Sequence, residues 1–498
     1  MSPRHVILET LQGRYHGGAE SRLVIHEGTC GTATNVRQEV ERVGLIEMCE
    51  ENDVKIVYGS CDGNCWAAPS ATLRHENDAS EFVEKRFSRL DELMRVEDFG
   101  VMLNDMQKGQ GFADGKSGLL DRLGRLDGSL EHAVWLGAYS NVDQILRGSK
   151  SDALQRIEDW KLTGRGGAHF PTALKWRLAS RNEGPRYLVV NAEEGEPGVF
   201  KDRHLLEGDP HRLLEGILIC CFVVGIEKVF IYVNGQATTA FNSLSKAVEQ
   251  AKTAGLLGPE FLPNGLQVDI ELRQGAGGYV CGEESVILNS IEGARPVPRF
   301  KPPFATDEGL WGRPTVINNA ETLAAVTTLW QDEPPPTKLV SLSGNVARPG
   351  VYEVPADGTL SWAGFLLQAG GEPGSTPAIL LGGPSGVFVI PERYDEKIKM
   401  SEVGAGGLVA LAPDSSIRSV VQALTKYNLR ESCGECTPCR EGTLRLDALL
   451  SVDTVDFDKV AGLVEVMSEA SLCMLGGMAG RPVLSAIEEF PTIWKDGS

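Results

Sequence analysis

The sequence lacks any apolar run long enough to cross a bilayer as a helix, which takes about 20 residues. The best candidate, Gly216–Ile226, is short and is followed by the charged pair Glu227 and Lys228, which is typical of a buried helix or strand. The amino terminus, MSPRHVILET, lacks the basic, apolar and cleavage regions of a signal peptide. We therefore expect a cytoplasmic protein without direct membrane insertion, peripheral to a membrane only through partner subunits.

Positive charge is also scarce. The 498 residues include 48 lysines and arginines against 68 aspartates and glutamates, which gives a net charge of −20. Such an excess of acid repels nucleic acids and anionic lipid surfaces, so we expect no nucleic-acid partner. Hydrophobic residues make up 42% of the chain and charged residues 23%, the composition of a globular protein. The length predicts roughly three or four domains.

Alternating sequence patterns predict a multidomain α/β protein. We expect a small α/β domain, a linker, a larger α/β domain, a small β-rich domain and a helical bundle, at 1–92, 93–129, 130–333, 337–400 and 410–498, respectively. In the first of these, Ser80–Leu90 is predicted to be a helix. In the larger α/β domain, apolar runs end at polar turns, as buried parallel strands do. Four amphipathic patterns predict the bundle.

Eleven cysteines without a secretion signal indicate a reducing compartment, where clustered thiols bind metal more often than they form disulfides. Cys433, Cys436 and Cys439 have the C-x2-C-x2-C spacing that opens the ferredoxin pattern for a cubane iron–sulfur cluster. Gly442 occupies the place of the fourth cysteine, so a remote residue must complete the set, and Cys473 is the only later cysteine. The alternatives are zinc, which usually takes two separated pairs of ligands, and structural thiols without metal.

The stretch TGRGGAHFPTALKW, Thr163–Trp176, begins like a dinucleotide-binding turn but lacks the third glycine, because His169 stands there. It also lacks the G-K-[ST] of a P-loop. Gly164, Gly166 and Gly167 nevertheless allow backbone N–H groups to turn toward one point before a helix, which attracts phosphate. Taken alone, the stretch fits either a phosphate-bearing cofactor or a plain structural turn.

Three further segments favour a cofactor site. Asn191–Arg203 follows the predicted strand RYLVV, so its polar groups lie at the carboxyl end of a strand, where α/β folds bind ligands. Gln274–Gly293 is a second glycine turn that runs into a helix, and Ile317–Ala324 places two amides before another helix. Each alone is explained by a turn with helix-capping side chains. Three in one domain, upstream of a predicted iron–sulfur domain, indicate a bound ligand.

Six stretches, in this order along the chain, resemble the signatures of one family: GRGGAHFPTALKW, NAEEGEPGVFKDR, GAGGYVCGEES, KPPF, INNAET and ESCGECTPCREG. It is the flavin-bearing, NADH-oxidising 51 kDa-type subunit of respiratory complex I. Its relatives serve NAD-reducing hydrogenases, NAD-dependent formate dehydrogenases and electron-bifurcating complexes. The resemblance covers roughly residues 130–498. It implies a Rossmann-like FMN and NADH domain, a ubiquitin-like β-grasp domain and a helical bundle with the iron–sulfur cluster.

The resemblance also implies residue roles. The FMN phosphate and ribityl chain would be surrounded by Gly164, Arg165, Gly166, Gly167 and Lys175. The flavin site would be completed by Asn191, Glu193, Glu194, Tyr279, Gly282, Glu283, Asn318 and Asn319. NADH would be bound by Phe170, Glu196, Glu284, Lys301 and Phe304. Among these, Glu196 and Glu284 are the catalytic candidates, and Phe170 would stack on a ring of the dinucleotide. The family's [4Fe–4S] ligands fall on Cys433, Cys436, Cys439 and Cys473, the set that the spacing indicates. The family usually has glycine at His169 and aspartate at Glu193.

The N-terminal cysteines leave two alternatives. Cys61 and Cys65 have the C-x3-C spacing that ends the thioredoxin-like [2Fe–2S] domain of related complexes. Cys30 supplies one earlier thiol, no second cysteine stands near it, and His26 is a candidate ligand of the Rieske kind. The segment either holds a [2Fe–2S] cluster on Cys30, Cys61 and Cys65 or is a thioredoxin-like docking domain that has lost its cluster.

These features predict an NADH dehydrogenase subunit that exchanges hydride between NADH and FMN and passes single electrons through the [4Fe–4S] cluster. Glu196, as an acid near the adenosine ribose, predicts NAD(H) over NADP(H). No further ferredoxin motif follows Cys473, so we expect two kinds of partner: a thioredoxin-like [2Fe–2S] subunit, and an iron–sulfur or catalytic subunit of formate dehydrogenase, hydrogenase, complex I or bifurcating type. The alternative is a non-catalytic iron–sulfur adaptor that has lost NADH binding.

Overall fold

A computed structural model describes most of the chain from residue 118 onward and parts of the region before it. The residues described are 3–14, 21–26, 38, 40–41, 45–51, 54–59, 71–76, 82–87, 118–123, 125–330, 337–356 and 358–494. Cys30, Cys61 and Cys65 lie outside the described residues, so the [2Fe–2S] cluster stays a prediction.

The helices of the described residues connect and cover the sheets. In chain order they are α1 Pro3–Gln12, α2 Leu45–Glu51, α3 Leu130–Trp135, α4 Ser140–Arg147, α5 Lys150–Asp159, α6 Thr172–Arg181, α7 Lys201–Gly208, α8 Pro210–Val224, α9 Thr238–Thr253, α10 Glu284–Ile291, α11 Ala305–Glu308, α12 Ala320–Val326, α13 Trp362–Gln368, α14 Ile417–Glu431, α15 Thr437–Leu450, α16 Phe457–Ala470, α17 Met474–Met478 and α18 Arg481–Glu489. None of these helices is long and apolar enough to cross a membrane.

The strands of the described residues form three sheets. In chain order they are β1 Ser21–His26, β2 Val54–Gly59, β3 Ala71–Glu76, β4 Phe82–Phe87, β5 Tyr187–Ala192, β6 Lys228–Val233, β7 Asp269–Gln274, β8 Thr315–Asn319, β9 Thr337–Gly344, β10 Gly350–Pro355, β11 Ile379–Leu381, β12 Val387–Val389 and β13 Gly407–Ala410. The strand orders are β2-β1-β3-β4, β7-β6-β5-β8 and β10-β9-β13-β11-β12.

The first sheet corrects one prediction. The helix predicted over Ser80–Leu90 was wrong, because Phe82–Phe87 forms strand β4, antiparallel to β3 with Ala71 opposite Phe87. The charged residues of this segment favour a helix locally. Pairing with an existing strand supplies backbone hydrogen bonds that override so weak a preference.

The second sheet is parallel throughout and carries the site. Strand β5 pairs with β6 on one side and β8 on the other. Leu188 and Val190 are buried in the largest core cluster, whereas Val189 is buried in a second cluster with α10, so both faces of the strand are covered. Burial on both faces explains why the strands are continuous apolar runs. Because the strands are parallel, their carboxyl ends lie at one edge.

Helix α8 contains most of the apolar run that the sequence left open between helix and strand. All of its residues are buried. A Cβ added to Gly216 would lie 2.0 Å from the Leu323 carbonyl oxygen, so only glycine lets α8 approach α12 this closely. The helix ends at Gly225 in the left-handed region, with φ 78°.

The domain boundaries stay predictions, and packed segments lie near two of them. The β-rich sheet includes β13, which pairs with β9 and β11, so it extends past the predicted end at residue 400. The predicted linker 93–129 is packed at its end: Leu119 and Leu120 are buried, and Arg122 lies 2.9 Å from Asp209 and 2.6 Å from Glu215. The four helical patterns predicted after residue 410 are confirmed as α14, α15, α16 and α18.

Candidate functional site

The glycine stretch forms a closed loop at the carboxyl edge of the parallel sheet, directly before α6. The Gly164 amide donates to the Phe170 carbonyl over 2.9 Å, which joins the two ends of the loop. Gly167 has φ 109° and His169 has φ 52°, both in the left-handed region. Glycine enters that region freely, whereas other residues are strained there. The family's usual glycine in place of His169 therefore has a backbone explanation.

Arg165 makes this loop suitable for an anion. Its side chain is buried, its Nε has no hydrogen-bond partner, and burial lowers the pKa of its guanidinium. The Arg165 amide donates to Thr322 Oγ1 at 2.8 Å, which fixes the loop against α12. A Cβ on Gly166 would lie 3.2 Å from Asn319 Cβ, so a larger residue would crowd the cradle. A buried cation with an open donor beside turned backbone amides fits a phosphate.

On the outer side of the loop, exposed aromatic rings lie near paired charges. Lys175 Nζ donates to the Ile317 carbonyl at 2.9 Å and lies 5.7 Å from the centre of the Phe170 ring. Phe170 is 41% exposed and Phe304 54% exposed. Exposed aromatic rings provide stacking faces for a planar ligand.

Lys301 connects two acids at the start of α10. Its Nζ lies 2.9 Å from Glu283 Oε1 and 2.6 Å from Glu284 Oε1. The other oxygen of Glu283 accepts the Ser285 and Val286 amides and so caps the helix. The positive charges of Lys175 and Lys301 outweigh burial and lower the pKa of Glu284. Glu284 is therefore ionised at neutral pH.

The acids after β5 have different surroundings. Glu194 accepts the amides of Asp202 at 2.7 Å and Arg203 at 3.1 Å, so its carboxylate holds the start of α7. Glu193 accepts from Asn234 Nδ2 at 2.5 Å through Oε1, whereas its buried Oε2 has no partner. Burial raises the pKa of Glu193 to about 7. Asn191 donates to the Gly282 carbonyl at 2.8 Å and joins these acids to the second glycine turn.

Glu196 is the second carboxyl with an open oxygen. Its Oε2 accepts the Tyr279 hydroxyl at 3.3 Å, and its buried Oε1 has no partner. Burial raises the pKa of Glu196 to about 7. Added Cβ atoms on Gly382 and Gly383 would lie 3.9 and 3.7 Å from Oε1, so the β-rich unit borders this carboxyl.

The two predicted amides face in different directions. Asn318 is buried and accepts the Trp176 indole N–H at 2.8 Å. Asn319 caps α12 through the Glu321 amide and donates to Asp202 at 2.6 Å. Asn191 and Asn319 lie at the carboxyl ends of β5 and β8, and Glu193, Glu194 and Glu196 follow β5. Their contacts with a cofactor stay predictions.

The four predicted cluster ligands come together in the helical unit. Cys436 lies just before α15, Cys439 is inside it, and Cys473 lies just before α17. Burial raises the pKa of Cys439 to about 11, and Cys436, Cys473 and Cys433 lie close enough to raise it further. Cys473 accepts from the amides of Leu475 and Gly476.

Across the described residues, no group of three or more His, Cys, Asp or Glu side chains is placed to hold one metal ion. The choice of an iron–sulfur cluster over zinc therefore depends on the cysteine spacing, a close triplet with one remote thiol in place of two separated pairs.

One short segment joins the two sites. The Tyr279 amide donates to Glu431 at the end of α14 over 2.8 Å, and the Tyr427 hydroxyl donates to the Gly195 carbonyl over 2.9 Å. The rings of Tyr279 and Tyr427 pack edge to face with centres 5.7 Å apart. The helical unit is thus held directly against the turns that carry Glu193 and Glu196.

Sequence reasoning missed a buried charge cluster beside the cradle. Lys201 lies 2.7 Å from Asp202 and 2.7 Å from Glu321, and Lys338 is buried nearby. Lys201 and Asp202 belong to a segment already singled out, but polar residues in a turn give no sign of burial. Lys338 belongs to no motif.

Together, the cradle at a parallel sheet and the four neighbouring thiols define an α/β flavin protein with an iron–sulfur unit. Residues 157–328 match the Nuo51 FMN-binding domain, and residues 419–496 match the NADH-ubiquinone oxidoreductase-F iron–sulfur binding region. The chain therefore belongs to the 51 kDa flavoprotein family of NADH-ubiquinone oxidoreductase.

Two relatives and one solved structure align with most of this chain. The NADH-quinone oxidoreductase F subunit of Aquifex aeolicus is 36% identical over 74% of this chain and 91% of its own length. NADP-reducing hydrogenase subunit HndC of Solidesulfovibrio fructosivorans is 34% identical over 73% and 79%. A crystal structure of an NAD+-reducing [NiFe]-hydrogenase in the H2-reduced state superposes with a TM-score of 0.68 at 26% identity, covering 98% of this chain and 87% of that chain.

Proposed function

We propose that the chain is the flavoprotein subunit of a multi-subunit NAD(H)-linked oxidoreductase. It exchanges hydride between NADH and FMN and passes single electrons through a [4Fe–4S] cluster to or from a partner subunit. The observation that carries this proposal is that the turns beside the cradle, at Gly195 and Tyr279, contact the helical unit that holds the four neighbouring thiols. The cradle itself contributes the open Arg165 Nε. Family membership supports both cofactors.

FMN, when bound, supplies both two-electron and one-electron chemistry and so connects a hydride donor to a one-electron carrier. The glycine loop and Arg165 would hold its phosphate, the open oxygen of Glu193 would accept a hydrogen bond from the flavin, and that of Glu196 would accept one from the ribose of NADH. Phe170 and Phe304 offer exposed ring faces to the dinucleotide. Cys433, Cys436, Cys439 and Cys473 would hold the cluster.

We further propose a preference for NAD(H) over NADP(H). The support is Glu196, whose carboxyl is bordered by two glycines and keeps one oxygen free. A carboxylate accepts hydrogen bonds from ribose hydroxyls and repels a 2′-phosphate. Family membership does not decide this point, because one relative is named for reducing NADP.

The partners follow from the chemistry. Electrons that reach the cluster need an acceptor outside it, so the chain works with an iron–sulfur or catalytic subunit and with a thioredoxin-like [2Fe–2S] subunit. The strand order of the first sheet supports a thioredoxin-like unit at 1–92, and the third sheet supports a ubiquitin-like unit. We place the protein in the cytoplasm, peripheral to a membrane where its partners are membrane-bound.

A visible spectrum of the purified full-length protein, recorded with and without NADH, tests the proposal. Flavin absorbance that bleaches on addition of NADH, above an iron–sulfur background, is expected. An iron–sulfur spectrum without flavin would favour the alternative of a non-catalytic adaptor. Zinc in place of iron would contradict both functions.

A further inference from the structure

A lysine of the β-rich unit is buried against the cradle. Lys338, in β9, is 1% exposed, and its Nζ donates to the carbonyl oxygen of Gly404. Gly404 and Gly406 have φ 58° and 105°, so the chain turns sharply here before β13. Burying an ammonium group is unfavourable unless an anion compensates it.

The turn held by Lys338 touches the glycine loop itself. A Cβ added to Gly167 would lie 3.6 Å from the Ala405 nitrogen and 3.8 Å from the Gly404 carbonyl carbon. Contacts therefore run without a gap from Lys338 through Gly404 to Gly167. The β-rich unit closes one side of the cradle.

The carboxylates near Lys338 are already used. Lys201 takes both Asp202 and Glu321, each at 2.7 Å. Across the described residues, no carboxylate lies within ion-pair distance of Lys338, and its hydrogen-bond partner is a neutral carbonyl. The charged and titratable groups that face it from the cradle, the turn after β5, α7 and α12 are Arg165, His169, Glu196, Lys201, Asp202 and Glu321.

Arg165, within the loop, also lacks a partner for its buried Nε. Among the described residues, neither Lys338 nor Arg165 has a carboxylate within ion-pair distance; Glu321, whose charge acts on both, is paired with Lys201. Two buried cations that border one glycine cradle match an anionic ligand, and a phosphate monoester carries nearly two negative charges at neutral pH.

We propose that Lys338 is a binding residue for the phosphate of the cofactor, contributed to the cradle by the β-rich unit. This inference rests on the proposed function, because it assigns the cradle to FMN. The positive ammonium group would attract the phosphate, and its hydrogen bond to the Gly404 carbonyl holds that turn against Gly167.

The test is FMN binding to the deflavinated full-length protein, followed by flavin fluorescence, with riboflavin as the probe that lacks the phosphate. Lys338→Gln keeps an N–H donor for the Gly404 carbonyl but removes the charge. We expect it to raise the Kd for FMN by at least about tenfold at pH 7 and to leave riboflavin binding nearly unchanged. Lys399→Gln is the matched control, because Lys399 is in the same unit and is 68% exposed.

The pH dependence gives a second measurement. Burial lowers the pKa of Lys338 to about 8, so FMN affinity should fall as the pH rises through about 8, by up to about tenfold per pH unit. Lys338→Arg should bind FMN normally at pH 7 and should lose this part of the decline, because arginine stays charged. The Lys338→Arg variant also tests the proposal if Lys338→Gln does not fold.

The outcomes separate the two proposals. If Lys338→Gln binds FMN as the wild type does, or weakens FMN and riboflavin equally, the role of Lys338 in phosphate binding is overturned. An unchanged pH decline in Lys338→Arg also overturns it. If the wild type binds no FMN at any pH, the proposed function itself fails.

Discussion

The cradle and the four thiols differ in how far the protein itself satisfies their polar groups before a cofactor binds. Around the cradle, the protein itself satisfies most polar groups: Glu194 holds the start of α7, Asn318 accepts from Trp176, and Lys201 pairs with two acids. Around the cluster, the thiols rely on metal. Burial raises the pKa of Cys439 to about 11 and also raises that of Cys473.

This contrast shows that the stability of the helical unit depends on metal binding. Metal binds thiolates and not thiols, so loading this site releases protons, and the binding free energy becomes part of the stability of the helical unit. The cradle needs no such step, because its hydrogen bonds exist within the protein. Its open groups, Arg165 Nε, Glu193 Oε2 and Glu196 Oε1, are those that a cofactor would complete.

The greatest loss of electron transfer is expected from a substitution among the cluster ligands. In Cys433→Ser, NADH should still bleach the flavin, while electron transfer to the native partner should fall by more than about 100-fold, because even outer partners of metal ligands cost about 10–100-fold. Iron content and stopped-flow absorbance measure the two halves separately. Cys220→Ala, which changes a buried thiol of α8, is the control and should keep its iron. Undiminished transfer to the partner would place the cluster off the path.

A smaller effect is expected on the cradle side. Glu196→Gln should raise kcat/KM for NADPH relative to NADH by about tenfold at pH 8, because a carboxylate no longer faces the 2′-phosphate. Burial raises the pKa of Glu196 to about 7, so the carboxyl is charged above that pH and protonated below it. The gap between variant and wild type should therefore shrink at pH 6. If the variant and the wild type discriminate equally between NADH and NADPH at pH 8, Glu196 does not determine the cofactor preference.

The sequence predicted those features that local patterns determine. Apolar runs that end at polar turns located β5 and the loops after it, and cysteine spacing with one remote thiol selected the set that the fold brings together. Strand β4 was missed because its charged residues favour a helix until β3 offers a partner. Lys338 was missed for another reason: its burial depends on the packing of the β-rich unit against a loop far away in the chain.

The mildest of these changes tests whether the cradle's preformed geometry carries strain. His169 has φ 52°, a conformation that costs about 1–2 kcal/mol for residues other than glycine. His169→Gly should therefore stabilise the protein against thermal unfolding, with a gain of about 1 kcal/mol or less, because glycine also adds entropy to the unfolded chain. His169→Ala keeps the Cβ and is the matched control, so an equal gain there would assign the effect to the imidazole.

The same variant has an expected pH dependence. Burial lowers the pKa of His169 from 6.5 to about 4. The unfolded chain therefore binds an extra proton between these values, and the wild type loses stability as the pH falls through them. The advantage of His169→Gly should therefore be larger at pH 5 than at pH 7.5, and a variant less stable than the wild type at pH 5 would contradict both the strain and the burial.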